Sequence, residues 1–175
     1  STFTSVNSTS NALDIPRLAG PFDGPQLITT DPPYHDELRR VVKDHLSPKR
    51  VQALEERIVG EAIASLSSLR SRKTVDVARE FAWPLTLTII SHVIGIPESD
   101  RPSLLALYHE LEYSDADQRS PETLDRYTGY FDELASERLS RPRNDLMSDL
   151  MRAVERGEIS RPDALVLCKD LFEGG

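Results

Sequence analysis

The segment from Thr29 to Val51, TTDPPYHDELRRVVKDHLSPKRV, holds the side chains best suited to gripping an anion. At about 100° per residue, Leu38, Val42 and Leu46 fall on one helical face. Asp36, Glu37, Arg40, Lys43 and Asp44 fall opposite. His35 and Arg39, at i and i+4, lie together beside the apolar stripe. A half-buried arginine needs an anionic partner, because an unpaired buried charge is strongly unfavourable. Two partners remain open: an external carboxylate or phosphate, or a distant Asp or Glu of the same fold.

Other reactive residue types have plainer readings. Cys168 sits mid-helix among Leu165, Leu167 and Leu171, so a buried, inert thiol is expected rather than a metal ligand. His92 falls in an apolar helix and is expected to be a hydrogen-bonded core residue. His109 and Glu110 lack the second histidine of a zinc motif and read as surface residues. Glu110, Glu112, Asp115 and Asp117 lack the glycine and the spacing of a calcium loop, which leaves a solvated acidic turn. Trp83, beside Pro84, reads as core packing. Arg40, Lys43, Lys49 and Arg50 form a basic patch, either a solvated helix face or a landing place for an acidic partner.

These side chains must be positioned by helices. Residues 1–30 are rich in Ser, Thr, Asn, Gly and Pro and read as loop; the Asn7-Ser8-Thr9 acceptor pattern within them is a chance match. Asp31 caps a helix that opens at Pro32-Pro33 and runs to Leu46. A second, from Ser47-Pro48, carries Val51, Leu54, Ile58, Ala62, Leu66 and Leu69 at helical spacing. Lys73 to Val77 is short and β-leaning. Asp76 caps a third helix, kinked at Pro84 and stopped by Gly95. A fourth runs from Glu98 to Glu112. Ser120-Pro121 opens a fifth, with Leu124, Tyr127, Phe131, Leu134 and Arg138 on one side. Asn144 opens a sixth, ending at Gly157. Ser160 with Asp163 is a capping-box-like start for a last helix, apolar on nearly all sides. Such a helix is expected in the centre of a larger protein, and the chain alone is expected to expose it and self-associate. The class is all-α, about seven helices with at most one short strand.

The 175 residues suit one domain or part of one, and the 21 basic against 29 acidic residues leave a net charge of −8. Such a balance disfavours non-specific nucleic-acid binding, which requires cations to displace counterions. One cysteine excludes an internal disulfide or a cysteine-based zinc cluster. No apolar run spans a bilayer and no signal peptide is visible, so a soluble, cytoplasmic protein is expected.

Asp31-Pro32-Pro33-Tyr34-His35-Asp36-Glu37-Leu38-Arg39 resembles the C-helix motif DPPxHxxLR of bacterial cytochrome P-450 haem-thiolate monooxygenases. Later segments follow in the same order. Val93-Ile94-Gly95-Ile96-Pro97 resembles the end of helix E, Arg143 to Met147 the start of helix H, and Ser160 to Gly175 the front half of the I-helix. The resemblance divides 1–175, a single partial domain, into a B–C loop region (1–30), helices C to H (31–159) and the start of the I-helix (160–175).

The resemblance implies that His35 and Arg39 hydrogen-bond the haem propionates. It implies that Gly174 and Gly175 let the I-helix backbone lie over the distal haem face, and that residues 13–28 line a substrate pocket. It further implies haem b as cofactor and electrons from NAD(P)H through a ferredoxin-type or reductase partner near Arg40, Lys43, Lys49 and Arg50. One oxygen atom of dioxygen would enter a small organic substrate. The family's acid–Thr pair, Glu-x-x-Arg pair and cysteine-ligand loop have no counterpart in these residues. The chain is thus expected to be inactive alone and to belong to a complete parent. The alternative is a haem-free relative of the same fold that activates a partner enzyme.

Overall fold

The computed structural model describes residues 26–27, 30–113 and 120–174. Among these, eight α-helices and one π-turn form, and no strand. The helices are α1 (Tyr34–Val42), α2 (Pro48–Ala53), α3 (Glu55–Leu69), α4 (Trp83–Ile94), α5 (Arg101–Tyr113), α6 (Pro121–Ser140), α7 (Leu146–Glu155) and α8 (Arg161–Gly174). None of them is long and apolar enough to cross a membrane. Most of the loop assigned to 1–30, its Asn7-Ser8-Thr9 included, and residues 114–119 lie outside the described residues.

The element starts follow their local chemistry. Ser120 Oγ accepts from the Thr123 N–H at 3.4 Å, the side-chain cap of α6, with Pro121 in the first turn. At α8 the Ser160 hydroxyl accepts from the Asp163 N–H at 3.2 Å while the Asp163 carboxylate accepts from the Ser160 N–H at 3.3 Å, a reciprocal capping box. Asp76 Oδ1 accepts from the Arg79 N–H at 3.1 Å. Pro84 is accommodated by winding rather than by a break. A π-turn over Ala78–Ala82 lets the Trp83 N–H bond Ala78 O, and α4 begins with Pro84 in its first turn. Gly95 ends α4 at φ 96°, where an added Cβ would lie 2.2 Å from Asp145 Oδ2.

α8 packs on α4, α6 and α7, and between α5, α6 and α8 Tyr108 stacks on Tyr127 while Phe131 and Phe172 meet these rings edge-on or tilted. Arg138 is wholly buried in this core, with Nε donating to Asp145 Oδ2 at 2.7 Å and Nη2 to the Gly95 carbonyl. One guanidinium thereby ties the end of α4 to α6 and the start of α7.

Several expectations change. The first helix stops at Val42, and the His45 N–H bonds Val42 O at 3.1 Å, a three-residue turn. That tighter turn swings His45 inward, 3% exposed, and leaves Leu46 45% exposed, so the stripe Leu38–Val42–Leu46 is broken. The second helix divides at Leu54, and neither α2 nor α3 buries a residue fully. His92 is exposed, not a core residue, because its position on α4 faces away from the buried Ser91 and Ile94. His109 is half-buried, edge-on to Trp83 with ring centroids 5.4 Å apart. α8 is not an orphaned apolar surface, since residues Ala164 to Lys169 and Phe172 are buried by the chain's own helices.

Candidate functional site

α1 carries two of the four predicted site residues. Leu38 and Val42 anchor it to α7 and fix the rotation of the helix. That rotation leaves His35 30% exposed, with Nδ1 3.0 Å from Asp36 Oδ1. Arg39 is exposed rather than half-buried, one helical turn on, and no ion pair forms at its side chain among the described residues. Burial therefore does not force a partner on it. The internal Asp or Glu considered as its counter-ion is not there among the described residues, and the guanidinium fork is free to take a carboxylate from outside.

Tyr34, at the start of α1, donates its hydroxyl to Asp163 of the α8 capping box. Burial first, then this hydrogen bond, raises the phenol above its ordinary range. The contact fixes α1 against the N-terminal end of α8. Gly174 lies at the other end of α8, separated from Asp163 by a helical rise of roughly 16 Å. It is exposed, and a Cβ built on it would meet nothing within 4 Å. Gly175 lies outside the described residues. The structure thus places His35 and Arg39 one turn apart on α1, links that helix to the start of α8, and sets Gly174 at the far end of α8.

Cys168 is fully buried, and burial pushes its thiol far up, with a smaller contribution from Asp145. A thiol so placed is a poor ligand or nucleophile. No cluster of potential metal ligands occurs among the described residues.

Two polar clusters escaped the sequence reading. His45 stands between Asp149 and Arg50, whose Nη1 lies 3.0 Å from His45 Nδ1. Arginine has only donors, so Nδ1 must carry the lone pair and Nε2–H donates to Asp149. Burial raises Asp149, but hydrogen bonds from Arg152 and His45 outweigh it and hold the carboxyl below its ordinary value. The second cluster is Lys169, Asp170 and Glu173 on the last turns of α8. Its signal was in the sequence: three charged residues at i, i+1 and i+4 directly after the apolar run Ala164–Cys168. A groove of about 760 Å³ between α5 and α6, lined by Asp100, Glu122, Asp125, Arg126 and Glu133 among others, contains none of the predicted residues.

A mainly α bundle of this kind, with a buried α8 ending at an open glycine and an α1 bearing His35 and Arg39 fastened to its start, defines a fold class with many solved members. The chain is similar to CalO2, with TM-score 0.76, 25% identity and coverage of 90% of this chain and 41% of that one. It is also similar to the myxobacterial cytochrome P450 CYP267B1 solved with myristic acid, with TM-score 0.75, 27% identity and coverage of 89% and 40%. In sequence it is 32% identical over 135 residues to cytochrome P450 107B1 of Saccharopolyspora erythraea, matching 77% of this chain and 33% of that protein. It is 32% identical over 151 residues to cytochrome P450 109 of Bacillus spizizenii, matching 80% of this chain and 37% of that protein. No protein-family model matches.

The chain is a portion of a bacterial-type cytochrome P450. It spans a third to two-fifths of the length of the relatives it matches.

Proposed function

We propose that this chain is one wall of the haem pocket of a cytoplasmic haem-thiolate monooxygenase, with Arg39 and His35 holding the haem propionates. The single supporting observation is Arg39 itself: an exposed guanidinium with no ion pair among the described residues, on a helix whose rotation is fixed by buried Leu38 and Val42. A propionate offers the planar carboxylate that a guanidinium binds bidentately. The same observation weighs against the haem-free, activator-type alternative, which has no anion to offer Arg39. Gly174, open above its Cα, would let a flat macrocycle approach the α8 backbone.

Haem b, when bound in the complete parent, supplies the oxygen chemistry that inserts one atom of dioxygen into an organic substrate. The part played by these residues is to bind and orient it. Cys168, sealed inside α8, is not the thiolate ligand, so the ligand comes from another part of the parent and this chain alone is inactive. The exposed Arg40, Lys43 and Lys49 would receive an acidic ferredoxin-type or reductase partner that passes on electrons from NAD(P)H. Arg50 belongs to the same patch but is partly committed to His45.

The test uses the complete parent protein, with haem transfer to an excess of apo-globin followed by absorbance. Arg39→Ala removes charge-assisted hydrogen bonds of about 1.5–3 kcal/mol each, so haem loss should accelerate roughly tenfold or more. Arg39→Lys should recover part of the retention, keeping charge but not the fork. Arg40→Ala, whose nearest carboxylate is Glu158 at 4.0 Å, should retain haem like the parent. Equal haem loss from Arg39→Ala, Arg40→Ala and the parent would remove the propionate assignment.

A further inference from the structure

The final turns of α8 hold a charge arrangement that neither the propionate grip nor the core explains. Lys169 is 5% exposed, deep in the bundle. Its Nζ lies 3.2 Å from Asp170 Oδ1 and 3.0 Å from Glu173 Oε2. Tyr127, from α6, donates its hydroxyl to Glu173 Oε1 at 3.2 Å. Gln26 Nε2 reaches Asp170 Oδ1 at 3.5 Å, and the backbone N–H of neighbouring Leu27 helps hold this carboxyl down. The other oxygen, Asp170 Oδ2, is buried and accepts no hydrogen bond.

Two features make this more than an internal ion pair. Two carboxylates share one ammonium, so a formal charge of −1 remains where solvent is largely excluded. Burial accordingly raises Asp170 and Glu173 above ordinary carboxylate values, although Lys169 pulls both down. Burial also lowers Lys169, but Glu173 and then Asp170 outweigh it and leave it raised. A desolvated oxygen with no donor is also rare in native interiors, and it stands ready for one that arrives with a ligand. The second feature is placement. Asp170 and Gly174 are i and i+4, so they share one face of α8, and the space above Gly174 is open. Gln26 and Leu27 close the cluster from the segment that the family resemblance assigns to the substrate-lining loop.

We propose that Asp170 Oδ2 is a substrate-recognition atom, and that the substrate class of the parent enzyme bears a protonated amine that docks on it beside Gly174. The inference rests on the reading of α8 as a wall of the haem and substrate pocket. The arriving N–H⁺ supplies the missing donor and offsets the uncompensated charge, with Glu173 held back by Lys169 and Tyr127. A substrate ending in a carboxylate is repelled at the same point. The related protein solved with myristic acid accommodates an anionic chain; this cluster selects the opposite charge.

The experiment is calorimetric binding to the complete, haem-loaded parent at pH 7, with three decyl probes: decyldimethylamine in its protonated form, decanol and decanoate. The tertiary amine has the needed N–H and is a hindered ligand for iron. The parent should bind the amine about tenfold or more tightly than decanol, and decanoate more weakly than both. Asp170→Asn should erase the preference for the amine, leave decanol within about twofold and strengthen decanoate. Glu173→Gln, which keeps a partner for Tyr127, should reduce the preference severalfold and serves if Asp170→Asn does not fold. An amine-to-decanol ratio unchanged in whichever variant folds would overturn the proposal and leave the cluster as an internal ion pair.

Haem content, read from absorbance before each titration, separates the two readings. If the parent and both variants hold haem with Arg39 essential but show no amine preference, only this inference fails. If haem retention ignores Arg39, the pocket-wall reading fails first.

Discussion

Arg138 and Arg39 show how differently one residue type can be used within a single chain. Arg138 is 0% exposed and meets Asp145 at 2.7 Å, whereas Arg39 is exposed and has no ion pair among the described residues. The first is structural. Removing its partner leaves a guanidinium buried beside only Glu137 and the Gly95 carbonyl. Asp145→Ala is therefore expected to destabilise the chain by about 3–5 kcal/mol, the usual cost of orphaning a buried charge. The check is a fall in the urea midpoint, and a shift equivalent to less than about 1 kcal/mol would mean that Glu137 alone suffices. Asp145 has a second duty, as the side chain accepting from the Ser148 N–H at 2.8 Å at the start of α7, so part of the loss is a lost helix cap.

The junction of α4 with α7 carries the sharpest backbone requirement among the elements. Gly95 sits at φ 96°, a region that costs an L residue about 1–2 kcal/mol, and its missing Cβ is where Asp145 packs. A Gly95→Ala variant must pay the conformational cost and also push Asp145 off Arg138. The expected loss exceeds about 3 kcal/mol, measured as for Asp145→Ala. Because both changes break the same contact, the double variant should be no worse than about the larger single one plus the backbone strain. Full additivity would show that Gly95 and Asp145 act independently. Gly157, also at positive φ (71°), has open space around it, so its alanine variant should show the backbone cost alone.

At the scale of the whole fold, exposed apolar area among the described residues is concentrated on α2, α3 and the segment before α4. Val51, Val59, Ile63, Leu66 and Val77 are 46–63% exposed, and Ile63, Leu66, Leu69, Val75, Val77 and Phe81 line an open apolar groove of about 450 Å³. The chain on its own is expected to self-associate at micromolar concentration through this face rather than through α8. Sedimentation velocity tests it. The pair Ile63→Ser and Leu66→Ser should shift the chain toward monomer, with little stability lost, because neither residue is buried. If the unsubstituted chain, on its own, sediments as a clean monomer, the face needs no cover.

Much of the fold was legible in local sequence because its determinants are local. Ser120-Pro121, the Ser160–Asp163 box and Gly95 mark helix ends through bonds to neighbours a few residues away. The spacing of Tyr127, Phe131, Leu134 and Arg138 identified the buried side of α6 before any partner was known. The DPPxHxxLR pattern, too, is a contiguous run, which is why His35 and Arg39 could be singled out together. Tertiary structure decided what periodicity cannot carry. A three-residue turn after Val42 exchanged Leu46 for His45 at the core, and Asp149, more than a hundred residues on, made that burial tolerable. The burial of α8 by α4, α6 and α7, the exposure of Arg39, and the meeting of Asp170 with Gln26 are likewise distances between segments far apart in the chain. Such contacts set solvation and pairing, and so determine which of several chemically similar charged residues is left free to meet a ligand.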